Sequence, residues 1–179
     1  MKKAYIFRGS SSSGKTTITK KFLKQLPQKV VFLELDNFRY GFHVENRKAL
    51  DVAEEEHFFA YKNFLLMLES YCQNGTYDLV IEGVTTWDTE NPYGNMQDVL
   101  PLLKKYNYDY TLFLLMADRE TLWQRNTKRN YVVSREDFDR LYDAVMNKVG
   151  GEEIKVDVSK MTLDETIAYI HSQIGLAKS

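Results

Sequence analysis

The chain has 179 residues, of which 44% are hydrophobic and 27% charged, and its formal net charge is −1. This length and ordinary composition predict one globular domain whose buried core is large enough for stability without a bound metal or disulfide bonds. The near-neutral charge argues against a protein that coats nucleic acid, and the single cysteine, Cys72, excludes an intramolecular disulfide. The apolar stretch after Lys2 and Lys3 is too short for a signal peptide or a membrane span, so we expect a cytoplasmic protein that does not bind membranes.

Short apolar runs alternate with longer helical patterns along the whole chain. The apolar runs predict five strands, at Ala4–Phe7, Val30–Leu35, Leu79–Ile81, Thr111–Met116 and Ile154–Val158. Helical patterns lie between them, near residues 15–26, 52–73, 95–106, 118–130, 134–148 and 162–175. Because strands that alternate with helices are joined by crossovers, the sequence predicts a single α/β domain over 1–179, with a mostly parallel sheet covered on both faces.

The first predicted strand runs into a segment rich in glycine and serine, Gly9-Ser10-Ser11-Ser12-Ser13-Gly14-Lys15-Thr16. This segment fits the phosphate-loop pattern G-x-x-x-x-G-K-[ST] at all four fixed positions. The glycines let the backbone curl so that successive N–H groups face a phosphate, and the start of the following helix adds its positive dipole end. Lys15 is expected to bridge the β- and γ-phosphates, and the Thr16 hydroxyl to ligate Mg²⁺. The alternative is a turn that caps an ordinary helix; a dinucleotide-binding pattern is excluded because Ser11 stands where its second glycine would be.

Asp36 comes directly after the second predicted strand, at the end of the sheet where open α/β proteins bind ligands. A carboxylate at this point can accept the proton of an attacking hydroxyl, so Asp36 is the candidate catalytic base. Arg39, three residues later, can hold an anionic group of the phosphate acceptor. The alternatives are a turn residue for Asp36 and an exposed surface charge for Arg39.

The third predicted strand runs into Glu82 and Gly83. An acidic side chain here can position the water shell of Mg²⁺, and Gly83 permits the close approach of a substrate. Residues 84–94, which include Trp87, are predicted to form a loop that holds the second substrate. The alternatives are a solvated strand end for Glu82 and a core anchor for Trp87.

Arg125 and Arg129 lie four residues apart on the helix that starts near Asp118, and neither has an acidic residue three or four positions away. Like charges at this spacing repel by about 0.2–0.5 kcal/mol, and the phosphates of a nucleotide would neutralise them. If the segment of about 118–148 closes as a mobile lid, these guanidinium groups would stabilise the charge on the transferred phosphoryl group. The alternative is a solvated basic face of the helix.

Taken together, the order of these motifs resembles the small P-loop kinases of the polynucleotide kinase and zeta-toxin group. Tyr77-Asp78-Leu79-Val80-Ile81-Glu82-Gly83 looks most like the zeta-toxin version of the third strand, whereas Arg125-Asn126-Thr127-Lys128-Arg129 looks more like the polynucleotide kinase lid. The phosphate loop and the chain length also resemble chloramphenicol phosphotransferase. The resemblance implies a three-layer P-loop kinase fold with a five-stranded parallel sheet, a helical lid, and Asp36 as the base that activates a hydroxyl. One departure is that no proline precedes Glu136, where the polynucleotide kinase lid usually carries one.

We therefore expect a kinase that uses ATP and Mg²⁺ to phosphorylate a hydroxyl of a small molecule or of a nucleic-acid 5′ end. The expected catalytic residues are Lys15, Asp36, Arg125 and Arg129. The expected nucleotide-binding residues are Gly9, Ser10, Ser11, Ser12, Ser13, Gly14, Lys15, Thr16 and Thr17. The expected acceptor-binding residues are Asp36, Arg39, Glu82 and Gly83, and the expected metal-holding residues are Thr16 and Glu82.

Two other functions remain open. One is a toxin-like kinase that phosphorylates a nucleotide sugar. The other is a regulatory module that binds ATP or GTP without a separate acceptor. The guanine-specificity pattern Asn-Lys-x-Asp of nucleotide switches is not found, since Asn147-Lys148 is followed by Val149-Gly150. The sequence therefore favours the kinase over the switch.

Overall fold

The computed structural model describes residues 2–39, 53–88, 91, 94–130, 132–147, 150 and 152–175. Its strands are β1 (Lys2–Arg8), β2 (Val30–Glu34), β3 (Asp78–Gly83), β4 (Tyr108–Met116) and β5 (Ile154–Asp157). Its helices are α1 (Lys15–Leu23), α2 (Leu35–Arg39), α3 (Glu54–Asn74), α4 (Met96–Lys105), α5 (Arg119–Thr127), α6 (Arg135–Met146) and α7 (Leu163–Gln173). Every predicted strand and helical segment has a counterpart among these elements.

The strands form one five-stranded sheet in the order β2-β3-β1-β4-β5, and every neighbouring pair is parallel. β1 lies in the middle, where Ile6 pairs with Ile81 of β3 and with Leu112 of β4. Because parallel strands end at the same edge of a sheet, the segments that follow β1, β2 and β3 lie side by side there. The prediction of a parallel five-stranded α/β fold is confirmed.

Each face of the sheet carries its own buried apolar cluster. On one face, Ile6 of β1 belongs to a cluster with Phe64 and Leu68 of α3. On the other face, Phe7 belongs to a cluster with Phe22 of α1, and its ring stacks on Phe113 at a centroid distance of 5.1 Å. This alternation follows from the period of two along a strand, which sends neighbouring β1 side chains to opposite faces. The sheet is therefore the middle layer of three.

The chain differs from the sequence prediction where β2 ends. The strand stops at Glu34, and Leu35 begins α2, a helix of five residues that the sequence pattern did not indicate. Leu35 is fully buried against Gly83, where an added Cβ would lie 2.8 Å from the Leu35 Cβ. A single helical turn is too short to show a helical period, which explains why only the tertiary packing reveals it.

Helices α5 and α6 occupy the region predicted to be a lid. Asp118 caps α5 through the backbone N–H of Thr121, and Ser134 caps α6 through that of Asp137. Asn126 closes the connection, since its side chain donates to the Val133 carbonyl at 2.9 Å and accepts from the Val133 N–H at 3.2 Å. Residues 131 and 148 of the predicted lid lie outside the described residues.

None of the helices in the described part of the chain combines the length and the apolar character needed to cross a membrane.

Candidate nucleotide and acceptor site

The phosphate loop joins the carboxyl end of β1 to α1, and its two glycines serve different purposes. A Cβ on Gly9 would lie 2.5 Å from the Leu115 carbonyl oxygen, so a larger residue cannot fit without moving the loop. Gly14 has a φ of +83° and Ser12 one of +64°, both in the left-handed region. These left-handed positions give the loop the curled backbone that surrounds an anion in phosphate sites. The exposed Thr17 follows in the first turn of α1.

Lys15 lies buried within the loop, and its Nζ donates to the Ser10 carbonyl at 3.0 Å. Burial lowers the pKa of Lys15 from its ordinary value. The neighbouring carboxylates of Glu82 and Asp36 raise it, whereas the guanidinium groups of Arg129 and Arg39 lower it further. Charged side chains from α2, from the end of β3 and from the predicted lid region therefore all act on this one ammonium group.

Glu82 and Thr16 face each other beside the loop. The Thr16 hydroxyl lies 3.4 Å from the Glu82 Oε1, and the Glu82 side chain is 1% exposed. The second oxygen, Oε2, is buried and has no hydrogen-bond partner among the described residues. A hydroxyl next to a carboxylate oxygen suits Mg²⁺, which binds through one or two carboxylates together with substrate phosphates and water. Among the described residues, no group of three or more His, Cys, Asp or Glu side chains could hold a metal ion by itself. The residues present therefore fit a metal that arrives with the nucleotide.

The environment of Glu82 makes the stability of the free protein depend on pH. Burial raises the pKa of Glu82 from 4.5 to about 7, an effect that Asp36 and Glu34 reinforce and Lys15 opposes. The folded protein therefore binds this proton more tightly than the unfolded chain does. The resulting stabilisation is complete below about pH 4.5 and is lost as the pH rises through about 7.

We expect Glu82→Gln to gain free energy of unfolding relative to the wild type as the pH rises from 4.5 to 7. The gain should be about 3 kcal/mol, at 1.36 kcal/mol per pKa unit. The measurement is urea denaturation of both proteins across this range without nucleotide. His57, whose pKa burial lowers to about 4, has the opposite effect on stability, but it is common to both proteins and cancels in the difference. A difference that does not change with pH would contradict the prediction.

Asp36 and Arg39 lie one helical turn apart on α2 and form an ion pair, in which the Arg39 Nη1 donates to the Asp36 Oδ1. The Arg39 side chain is buried, whereas that of Asp36 is half-buried. The Asp36 carboxylate acts on the pKa of both Lys15 and Glu82, so it lies near the phosphate loop, which fits its predicted role as a base. An anionic acceptor would have to share Arg39 with Asp36, a constraint that the sequence did not reveal.

His57, in the first turn of α3, is a residue of this region that the sequence did not single out. It is buried, and burial together with the nearby Arg39 lowers its pKa to about 4. Asp36 of α2 and Arg140 of α6 also act on its pKa, so charged groups from both helices lie near the His57 side chain. A single histidine on an amphipathic helix carries no local signal of this position, because the neighbours come from other elements.

Arg125 and Arg129, for which the sequence predicted the same role, contact different parts of the molecule. The Arg129 Nη1 donates to the Ser11 hydroxyl at 3.1 Å, so this side chain reaches the phosphate loop. The Arg125 Nη2 donates instead to the Val158 carbonyl at 2.8 Å, in the segment that follows β5. Arg125 thus holds a backbone turn next to the lid, and only Arg129 of the two contacts the loop.

The described parts of the segment 84–94 form a closed loop. The Thr86 N–H donates to the Gly94 carbonyl at 2.8 Å, and the Met96 N–H donates to the Thr86 carbonyl, also at 2.8 Å. Trp87 is partly buried against the cluster that contains Ile6, as the core-anchor alternative expected. Residues 89, 90, 92 and 93 lie outside the described residues.

Known proteins share this architecture. A family model described as an AAA domain matches residues 5–147. A sugar kinase from Janibacter sp. HTCC2649 has a TM-score of 0.66 at 14% identity, with 99% of this chain and 96% of that chain covered. The tunicamycin resistance protein of Deinococcus radiodurans has a TM-score of 0.64 at 13% identity, with 99% and 98% covered. A gluconokinase from Sinorhizobium meliloti 1021 has a TM-score of 0.60 at 12% identity, with 97% and 95% covered.

At these identities the structural likeness establishes the fold, and it confirms the predicted resemblance to small P-loop kinases. The family match includes the phosphate loop, Asp36, Glu82 and Arg129. Since it covers most of the sequence, the chain belongs to the AAA domain family, in a form with the fold of the small P-loop kinases.

Proposed function

We propose that this protein is a phosphotransferase that moves the γ-phosphoryl group of ATP to the hydroxyl of an acceptor, with Mg²⁺ as cofactor. The observation that carries this proposal is that Arg129 bonds Ser11 of the phosphate loop, while Asp36 of α2 lies close enough to Lys15 to act on its pKa. A switch or a purely structural nucleotide site has no need of a carboxylate held next to the transferred group. Phosphoryl transfer to an alcohol requires three groups near the transferred phosphoryl group: a base, a cation that binds the phosphates, and a second cation that stabilises the developing charge.

The loop residues would bind the triphosphate. The Lys15 ammonium now bonded to the Ser10 carbonyl would turn to the β- and γ-phosphates, a short movement for a lysine side chain. The hydroxyl oxygens of Ser12 and Ser13 are buried and have no partner among the described residues, so a phosphate oxygen can use both as donors. Thr16 and Glu82 would hold Mg²⁺, which neutralises phosphate charge when bound.

Asp36 would orient the acceptor and take the proton of its hydroxyl as the new O–P bond forms and the bond to ADP breaks. Arg39 keeps the carboxylate in place through the ion pair and can contact an anionic group of the acceptor. Arg129 would stabilise the charge on the transferred phosphoryl group, since it already reaches the loop through Ser11. Arg125 is assigned a supporting role, because its bond to Val158 positions the turn beside the lid.

The acceptor that the comparisons support best is a sugar or a related small alcohol, since two structural neighbours are described as a sugar kinase and a gluconokinase. A nucleic-acid 5′ end stays the second candidate, because the lid sequence around Arg125 resembles that of polynucleotide kinase. A nucleotide sugar, as in the zeta-toxin resemblance, is the third.

The experiment that tests the proposal measures transfer of labelled γ-phosphate to four classes of acceptor. These are sugars and sugar acids, nucleotide sugars, 5′-hydroxyl oligonucleotides, and alcohols of the aminoglycoside or chloramphenicol type. We expect Mg²⁺-dependent label in one class, absent in a parallel Lys15→Ala reaction. Tight nucleotide binding without transfer to any class would favour the regulatory module instead, and a folded protein that binds no nucleotide would overturn the proposal.

A further inference from the structure

A fully buried arginine lies immediately before the phosphate loop. The Arg8 side chain, at the end of β1, donates through Nε to the Glu153 Oε2 at 3.0 Å. Its Nη1 donates to the Thr85 carbonyl at 2.8 Å, and both Nη atoms lie 3.3 Å from the Val145 carbonyl. Burial lowers the pKa of Arg8, and the facing Glu153 counteracts this. A buried guanidinium is tolerated only when it has such partners, because an unpaired charge in the interior is strongly unfavourable.

Glu153 connects the same cluster to two further backbone segments. Its side chain is as fully buried as that of Arg8. The Oε1 accepts hydrogen bonds from the Trp87 Nε1 and from the Gly150 N–H, the latter at 2.8 Å. The Trp87 ring also packs directly on this backbone, since a Cβ on Gly150 would lie 2.3 Å from the Trp87 Cζ2. Arg8 and Glu153 therefore bind the end of β1, the loop 84–88, the end of α6 and the segment before β5 to one another.

Two of these segments belong to the moving and substrate-binding parts of the proposed enzyme. Val145 lies in the last turn of α6, where the carbonyl groups have no partner within the helix. A cation at this end of a helix is favourable both as a hydrogen-bond donor and through the helix dipole. Thr85 lies just after Glu82 and Gly83, on the side where the acceptor is expected. The base of the lid and this loop are thus attached to the strand that carries the phosphate loop.

Stability alone is a weak reason for such a pair, because apolar side chains of similar size often stabilise a core equally well. A guanidinium that bonds three groups in fixed directions does define their relative positions. We infer that Arg8 and Glu153 are positioning residues, which set the distance from the phosphate loop to the loop 84–88 and to the last turn of α6 at Val145. Neither side chain is expected to touch the reacting atoms. We call the attachment of these four segments to one another through Arg8 and Glu153 the mechanical connection. Its existence does not depend on the proposed function, whereas its effect on catalysis does.

The mechanical connection is tested by hydrogen exchange of the full chain without nucleotide. Glu153→Gln keeps an oxygen for Trp87 and Gly150 but removes the charge that faces Arg8. We expect exchange to rise roughly tenfold at both the loop 84–88 and the end of α6, which are far apart in sequence. The matched control is Glu69→Gln, which removes an ion pair with Lys105 on the α3 and α4 surface and should change neither segment. A change confined to the neighbourhood of residue 153 would overturn the inference.

The catalytic consequence is tested by the rate of phosphoryl transfer per bound nucleotide, to water if no acceptor has been identified. In Glu153→Gln and Trp87→Phe we expect the dissociation constant of a fluorescent ATP analogue to stay within about twofold, because the loop amides are intact. The transfer rate should fall roughly tenfold to hundredfold, the loss expected when reacting groups are displaced by about 1 Å. Arg8→Lys, which keeps a cation, should retain more of the rate than Arg8→Met.

A core variant on the opposite face of the sheet, Ile170→Val in α7, serves as the control for lost stability and should keep the full rate per bound nucleotide. Equal rates in the wild type, Glu153→Gln and Trp87→Phe would overturn the positioning role. A wild type that transfers no phosphate would instead overturn the proposed function, and the exchange experiment would still decide whether the connection exists.

Discussion

Lys15→Ala should remove about half or more of the thermal stabilisation that ATP and Mg²⁺ give to this protein. At a nucleotide concentration 100 times its dissociation constant, the wild type gains about 2.7 kcal/mol from binding. This corresponds to a rise in Tm of roughly 5–10 °C for a chain of this size. Loss of a charged hydrogen bond to the triphosphate costs about 1.5–3 kcal/mol, enough to weaken binding roughly tenfold to hundredfold. The remaining shift in Tm should be a few degrees at most, measured by differential scanning fluorimetry.

The unliganded variant should remain folded, because Lys15 is a buried cation whose desolvation opposes folding. The matched control is Lys20→Ala, which removes an exposed lysine from the same helix and should leave the nucleotide response intact. Phosphoryl transfer should fall roughly hundredfold or more in Lys15→Ala, since the cation also stabilises charge in the transition state. A variant with the full nucleotide-dependent shift would show that the triphosphate does not bind at the loop.

Asp36→Asn should separate nucleotide binding from transfer. The amide has the shape of the carboxylate and can still accept the hydrogen bond from Arg39, but it is not a base at neutral pH. We expect transfer to an alcohol to fall roughly 10²- to 10⁴-fold, the usual effect of losing a general base. Nucleotide affinity should stay equal or improve, because a negative charge near the phosphates and near Glu82 has been removed.

The measurement combines a binding titration with initial rates at saturating ATP. Asn37→Ala, at an exposed position of the same short helix, is the control and should affect neither quantity. Unchanged turnover in Asp36→Asn would remove Asp36 from the mechanism while leaving the phosphate loop assignment intact. Loss of both binding and transfer would instead show that Asp36 supports the nucleotide site.

The most local features of this protein were also the most predictable. The phosphate loop could be identified because its glycines, its lysine and its threonine act within eight consecutive residues, and the left-handed Gly14 and the tightly packed Gly9 agree with that pattern. Asp36 and Glu82 could be placed at one edge of the sheet because each comes directly after an apolar run that predicts a strand. The short helix that carries Asp36 could not be foreseen, since one turn has no measurable period.

The hydrogen-bond partners of the lid arginines could not be predicted from the sequence. Arg125 and Arg129 look equivalent in the sequence, but one bonds a carbonyl 33 residues away and the other a hydroxyl 118 residues away. Arg8 lies at the end of an apolar run and belongs to no motif, and its partner Glu153 is 145 residues away in the sequence. Such pairs depend on which elements become neighbours, and no local pattern encodes that.

By itself, the amino-acid sequence determined the alternation of strands and helices, the parallel sheet and the phosphate loop, because each follows from periodicity or backbone freedom over a few residues. The tertiary structure decided the strand order β2-β3-β1-β4-β5, which places β1 between β3 and β4. That order brings Asp36, Glu82 and Arg129 to Lys15, and it buries Arg8 against Glu153. The physical reason is that burial of apolar surface on both faces of the sheet fixes the strand order, and the charged side chains at its edge acquire their partners as a consequence.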